Sequence, residues 1–432
     1  MRVAVIGAGW AGLAAAIGLA QAGHAPTVFE AARNVGGRAR TLALAREGQT
    51  PLRLDNGQHI LIGAYSECLR LMRTVGVEPE AALLRLPLAL QFVGDFPHTT
   101  GLRLPDLPPP WDALLGIARA TGWSGRDKRA LLGAATRWRL AGFRCAPDTS
   151  VAQLCAALPP RLLHEFIEPL CVSALNTPAA ESSAQVFLRV LRDSLFSGRG
   201  GSNLLLPRTD MGALFPDAAA QWLGQRGLPV RLGQRVQGLV QQHGRWQVDG
   251  TPFDAVVLAT TSTEAARLVQ QACPGLATAA DWVAKAQALR FIPITTVYAQ
   301  LPDAQGPLLP EPMLALRSGP HQPAQFVFDC AQLGGPTGQL AFVVSTSGSE
   351  RGVMEQQVLA QAAQQLRLPG LQPLQTVVEK RATFACTPDL ERPAMAIAPG
   401  LWACGDYVEG PYPATLEGAV RSGTAAAQAL TA

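Results

Sequence analysis

The first apolar stretch of the chain is short and unbroken. Val3 to Ile6 run directly into Gly7, with glycines again at 9 and 12. A continuous apolar run of this length, closed by glycine, predicts a buried strand and a tight turn, and the residues after Gly12 continue as a helix. A second run, Thr27–Phe29, ends on Glu30, eighteen residues past Gly12. Residues 66–78 are amphipathic with a glycine at 76, which predicts a helix and its stop. From about 80 to 195 the pattern is helical and irregular, broken by Pro105, Pro108, Pro109 and Pro110. Residues 203–223 read as a loop and a helix. Strand alternation follows over 230–240, 245–248 and 254–260. Residues 290–390 are again rich in strand pattern, as in Ile294–Ala299 and Leu340–Ser345, with a helix at 351–366 between the later strands. Its Gln/Ala-rich part, Gln356–Gln365, reads as a solvated helix. Near the end, Leu401–Asp406 is an apolar strand closed by Gly-Asp, and Pro413–Gly423 opens a helix of small residues.

The glycine spacing carries chemistry. Gly7 permits the turn, Gly9 lets backbone approach a pyrophosphate, and Gly12 lets helix and strand pack closely. The helix start then offers free N–H groups and a positive dipole end to phosphates. Glu30 is placed to accept hydrogen bonds from a ribose, and its charge would repel a 2′-phosphate. Residues 3–23 behind Arg2 could also be taken for a signal peptide or a membrane span. The glycine spacing and the acid at the right distance argue for the dinucleotide site instead.

Two further segments narrow the cofactor. Gly36-Gly37-Arg38 just past the second strand, and Gly405-Asp406 ahead of the terminal helix, resemble the flavoprotein amine oxidase superfamily. That resemblance implies FAD, held non-covalently. Gly36 and Gly37 would admit its pyrophosphate, Arg38 would offset phosphate charge, and Asp406 would hold the ribitol or a phosphate oxygen. The helix start at Thr415 and Leu416 would face the flavin pyrimidine oxygen, Val236 would meet adenine through its backbone, and Ala259-Thr260 would return near the pyrophosphate. The implied fold is α/β: a discontinuous Rossmann-like FAD-binding domain of glutathione-reductase type with an inserted α+β substrate domain. The FAD-binding part takes residues 1–79, 200–270 and 395–432. The substrate part takes 80–199, mostly helical, and 271–394, carrying a sheet.

Residues 54–65, which include Gly57 and His59, and residues 405–419 resemble the hydroxysqualene dehydroxylases, also called squalene-associated FAD-dependent desaturases. The resemblance runs through essentially the whole chain in length and motif order. It implies an apolar triterpenoid substrate, an external electron donor, and reductive removal of a hydroxyl to give squalene for hopanoid or related synthesis. An allylic alcohol ionises only when its oxygen is protonated, so such a site needs an acid and a dry pocket. His59, Tyr407 and Glu409 are the candidate acids, and Asp55 is expected to anchor its own Asn-Gly turn. A carotenoid-type desaturase shares fold, cofactor and substrate polarity, and differs in the direction of electron flow. Amine oxidases often carry a lysine in a substrate-domain strand. The corresponding strand here, residues 291–298, has none. A non-catalytic flavoprotein partner of squalene-forming enzymes is the third alternative.

Composition bounds the rest. The chain has 432 residues, 48% of them hydrophobic, and a net charge of only +4, so no nucleic-acid footprint stands out. Eight cysteines and six histidines are dispersed without metal-ligand spacing, and a reducing cytoplasm is expected. Residues 107–144 combine Trp111, Trp123 and Trp138 with Arg119, Arg126, Lys128, Arg129, Arg137, Arg139 and Arg144, against Asp112 and Asp127. Tryptophan, leucine and arginine together predict a peripheral contact with anionic lipid on the inner face of the cytoplasmic membrane. An amphipathic helix packed on the substrate domain is the alternative.

Overall fold

The computed structural model describes residues 1–46, 49–93, 99–196, 198–345 and 350–431. The first apolar run is the strand Arg2–Ile6, and Val3 to Ile6 are each at most 4% exposed. It is apolar on both faces because both faces are covered. It pairs in parallel with Ala25–Phe29 on one side and Ala255–Leu258 on the other. The sheet has six strands, in the order Val230–Arg231, Ala25–Phe29, Arg2–Ile6, Ala255–Leu258, Leu401–Ala403 and Ala396–Ala398, the last antiparallel to its neighbour. Three remote stretches of sequence therefore build one layer.

What closes that layer is a seam between the first helix, Trp10–Gln21, and the terminal helix, Leu416–Thr431. Both are lined with small residues where they meet. A Cβ on Gly423 would lie 2.2 Å from the Ala11 carbonyl oxygen, and one on Gly18 would lie 2.8 Å from the Ala427 Cβ. The same helix sits hard against the turn before it. A Cβ on Gly12 would lie 1.9 Å from the Gly7 carbonyl oxygen. Gly7 has φ +113°, and a Cβ there would meet the Ala259 carbonyl oxygen at 2.5 Å. Glu417, fully buried, adds a polar tie. Its carboxylate accepts from the backbone N–H groups of Glu67 and Cys68, both at 3.0 Å, at the start of the helix Ser66–Thr74, and from Arg421 at 2.6 Å. A buried charge is tolerable when it is paired and hydrogen-bonded in this way.

A second sheet of seven strands forms the other half of the molecule. Its order is Gln372–Phe384, Phe291–Gln300, Gln339–Ser345, Phe326–Asp329, Met313–Ala315, Ala89–Val93 and Thr99–Arg103. Helices from 111 to 195 pack beside it, including Gly125–Leu140, opened by a Ser124/Asp127 capping box, and Ala184–Leu195. The helical reading of 80–195 needs correction before residue 111. Leu83–Leu86 pairs with Leu204–Pro207, and 89–103 supplies two strands of the large sheet, with Leu90, Phe92 and Leu102 buried at alternate positions. The strand expected over 230–240 is also interrupted. Only Val230–Arg231 and Leu239–Gln242 are in ladders, because the chain turns at Gly233, φ +68°, whose N–H donates to the Ala32 carbonyl. The helices expected at 66–78 and 351–366 are observed at Ser66–Thr74 and Arg351–Gln365.

The seam yields a contrast between two glycines. Gly12→Ala forces the first helix away from its turn and is expected to cost roughly 1–3 kcal/mol of stability and to lower FAD occupancy. Gly224→Ala, with nothing within 4 Å of its Cβ, is expected to leave both unchanged. Denaturant melts and the flavin absorbance of the purified variants check this. Equal stability and occupancy in the two variants would contradict it.

Candidate active site

A cavity of about 800 Å³ lies between the two sheets, near the upper end of the roughly 300–1,000 Å³ of small-molecule sites. One end is glycine-rich backbone. Gly7, Gly9, Gly36, Gly37 and Gly405 line it, and a Cβ on Gly9 would meet nothing nearer than the Gly37 Cα at 3.8 Å. The first helix starts here with Gly9 as its N-cap and no acidic residue in its own first turn, so its positive end faces the cavity. Glu30 lines the same end. Its carboxylate accepts from the N–H groups of Ala8 at 2.7 Å and Ala32 at 2.8 Å, which fixes its orientation and leaves further lone pairs. Val236, with its carbonyl accepting from Arg267 at 2.9 Å, and Thr260 continue the wall.

The middle of the cavity is polar and cross-braced. Arg38 donates to Asp406, 368 residues away, and to the Ala382 carbonyl at 3.0 Å. Burial opposes the Arg38 charge, but Asp406 and Glu379 outweigh it and hold its pKa above the ordinary value. Arg38 thus has a protein carboxylate as partner. Thr415 accepts from the Gly418 N–H at 3.0 Å and lines the cavity with Leu416 at the start of the terminal helix. Val172, Leu175, Ile294, Phe326, Phe328 and Val343 give the cavity apolar side chains, interleaved with Ser173, Asn176 and Ser345. No lysine or cysteine lines the cavity among the described residues. Every expected cofactor residue borders this space except Gly12, whose place is in the packing beneath it.

The candidate acids separate. His59 lines the cavity, and its Nε2 is enclosed without a partner. Burial, with Arg38 adding repulsion, lowers its pKa to about 4, so the ring is neutral at pH 7. Tyr407 does not reach the cavity. It is 2% exposed, packed so closely on Gly405 that a Cβ there would lie 2.6 Å from its ring, and its hydroxyl is buried without a partner. Glu409 is exposed outside the cavity, on a loop whose carbonyls at Val408 and Gly410 accept from Arg392. Asp55 differs from its expected part as well. It reaches away from its own turn to accept from the Met211 N–H at 2.8 Å and the Thr41 hydroxyl at 3.3 Å, and burial lifts its pKa to about 7.

Sequence reasoning missed Asn56. It is 2% exposed, accepts from the Arg40 N–H at 3.0 Å, and donates to the Arg38 carbonyl at 2.9 Å and to Glu379 at 3.2 Å. It therefore fixes the Gly-Gly-Arg segment against the large sheet. The one available signal, the Asn-Gly pair, reads only as a turn.

Comparison with known proteins agrees with this geometry. The family model for flavin containing amine oxidoreductase matches residues 10–431. A hydroxysqualene dehydroxylase of Rhodopseudomonas palustris is 30% identical, with 100% of this chain and 98% of that protein covered. A 15-cis-phytoene desaturase of Synechococcus elongatus is 40% identical, but over 78 residues, 18% of this chain and 16% of its own. The solved structure of a cyclohexylamine oxidase from Brevibacterium oxydans superposes with a TM-score of 0.72 at 16% identity, covering 100% of this chain and 98% of its own, which speaks to the fold. The chain belongs to the flavin-containing amine oxidoreductase family, hydroxysqualene dehydroxylases are among its full-length relatives, and it is an FAD-dependent oxidoreductase.

Proposed function

We propose that this enzyme reductively dehydroxylates hydroxysqualene to squalene, in squalene or hopanoid synthesis. The observation that carries the reading is the likeness, over the entire chain, to a protein of that name. The cavity suits it: polar backbone for a dinucleotide at one end, aliphatic and phenyl walls for a hydrocarbon at the other. Gly7, Gly9 and Gly37 would admit the pyrophosphate, with Gly12 packed beneath them, Glu30 would take the ribose, Val236 the adenine, Arg38 and Asp406 the phosphate and ribitol, and Gly57, Thr415 and Leu416 would hold the ring. FAD would be held non-covalently, and an external donor would supply its electrons. Reduced FAD supplies the hydride.

The residues of the chain supply the rest. The apolar wall orients the substrate and excludes water, and the lack of a lysine or cysteine there removes the strongest nucleophiles that would trap a carbocation. His59 stands at the boundary between the polar and apolar parts and carries the proton toward the hydroxyl. Loss of water leaves the allylic cation that takes up hydride. With a pKa near 4, only a small fraction of His59 is charged at pH 7, and that fraction grows about tenfold per unit as pH falls toward 4.

The test is anaerobic. Photoreduced holoprotein mixed with hydroxysqualene is expected to regain its yellow colour and to yield squalene, faster at pH 5.5 than at pH 7.5. In a His59→Gln variant the pH dependence should flatten. A flavin that stays reduced would end this reading. Oxidised flavin bleached by a polyene would favour a carotenoid-type desaturase.

Delivery of such a substrate calls for a lipid surface, and we place it at residues 107–144. No helix among the described residues is long and apolar enough to cross a membrane. Trp123 and Trp138 are buried and drop out of the expected lipid-facing set. Leu107, Trp111, Leu114 and Leu140 remain exposed, at 36%, 63%, 40% and 84%. Arg119, Arg126, Arg129, Arg137 and Arg144 are exposed, and none is ion-paired among the described residues. That leaves their charge for anionic headgroups, worth about 1 kcal/mol each near the surface. The protein is expected to sediment with phosphatidylglycerol vesicles, and less so after Trp111→Ser or neutralisation of these arginines. Equal sedimentation of all variants would remove the contact.

A further inference from the structure

Among the described residues, four arginines border the cavity: Arg38, Arg40, Arg235 and Arg381. Three of them face a carboxylate. Arg38 pairs with Asp406, Arg40 lies 3.8 Å from Glu379, and Arg235 lies 3.8 Å from Glu264. Arg381 is in no ion pair among the described residues. The two acids nearest it in sequence or space are already engaged. Glu379 accepts from Asn56 at 3.2 Å, and Glu264 accepts from Arg267 at 2.6 Å. The Arg381 charge is therefore the one at the cavity that no protein carboxylate offsets.

The fold holds this guanidinium at the glycine-rich end. Its strand, Gln372–Phe384, slips register against Phe291–Gln300 at Pro293: Ile292 pairs with Thr383, but Ile294 pairs with Glu379. Proline has no N–H for the ladder, and a bulge in the partner strand re-aims the residues it contains. Arg381, Ala382 and Thr383 all line the cavity as a result. The Ala382 carbonyl accepts from Arg38 at 3.0 Å, which sets the bulge against the Gly-Gly-Arg segment. The Arg381 guanidinium stands over the Phe291 ring, 5.8 Å from its centre, and donates to the Thr263 hydroxyl at 3.4 Å. Thr263 is in the first turn of the helix Ser262–Ala272, and Thr260, Thr261 and Thr263 line the cavity at that helix start. Ala259, just before them, is the residue whose carbonyl packs on Gly7. The guanidinium is thus fixed beside the segments that border both glycine turns. It has five N–H donors, and the threonine takes one.

We propose that Arg381 clamps the diphosphate of FAD from the seven-stranded sheet, so that both halves of the molecule hold the cofactor. The inference rests on FAD occupying this cavity and is independent of the lipid substrate. A guanidinium fork matches phosphate oxygens, and its bonds to them are charge-assisted. Arg38 sits at the same end, but its charge is shared with Asp406.

The experiment follows release of FAD from the diluted holoprotein by the rise in flavin fluorescence, in low and in high salt. Arg381→Gln is expected to speed release about tenfold in low salt, and Arg381→Lys to fall between it and wild type. Release from wild type should quicken with salt, and release from the glutamine variant should respond less. Thr263→Val, which removes the tether and keeps the charge, should stay close to wild type. Melting temperatures establish that each variant is folded. Unchanged release from the glutamine variant overturns the clamp. So does equal salt dependence in wild type and glutamine variant. Release from Thr263→Val as fast as from Arg381→Gln also overturns it, since the arginine would then act only as a brace between the two halves. A wild type that holds no FAD removes the cofactor assignment and the clamp together.

Discussion

The site depends on backbone meeting backbone at the seam between the first and last helices. Gly12 against the Gly7 carbonyl, and Gly423 against the Ala11 carbonyl, are approaches that no side chain would permit. They draw the two chain ends together at the head of one sheet. Arg38 and Asp406, Glu417 and the helix starting at Ser66 then tie the ends with charge and hydrogen bonds. Close packing of this kind is stiff, because interiors near crystal density give little when a methyl group is added. A dinucleotide cradle made of main chain needs that stiffness. Its N–H groups stay aimed only as long as the turn and the helix behind them do not move.

Polarity then divides the cavity. The half formed by the six-stranded sheet presents glycine backbone, a fixed carboxylate at Glu30 and a helix start. The half formed by the seven-stranded sheet presents Ile294, Phe326, Phe328 and Val343, together with Ser345, Glu379, Arg381 and Thr383. The boundary falls along residues 55–59 and the strand opposite them. There the chain keeps a neutral, enclosed histidine, His59.

How much of this is legible in the sequence follows from how local each cause is. Gly7, Gly9, Gly12 and Glu30 are readable because one turn and one strand–helix packing demand them within thirty residues. Gly-Gly-Arg and Gly-Asp are readable only through their resemblance to a family, since nothing local tells Arg38 that its partner is Asp406. Asn56 reads as a turn residue, and its three bonds to remote segments leave no mark on the pattern. Leu83–Arg103 reads as irregular helix because its strands are short and their partners lie at 204–207 and 313–315. Tyr407 and Glu409 lie beside the right motif. The fold turns one inward onto Gly405 and leaves the other outside, a choice made by packing across the whole domain.

The central claim is that both ends of this chain close on one flavin. Its most direct test is the flavin content of the purified protein, measured before and after acid precipitation. One FAD per chain is expected, all of it released into the supernatant. A colourless protein that takes up no added FAD, or flavin that stays with the precipitated polypeptide, would contradict it.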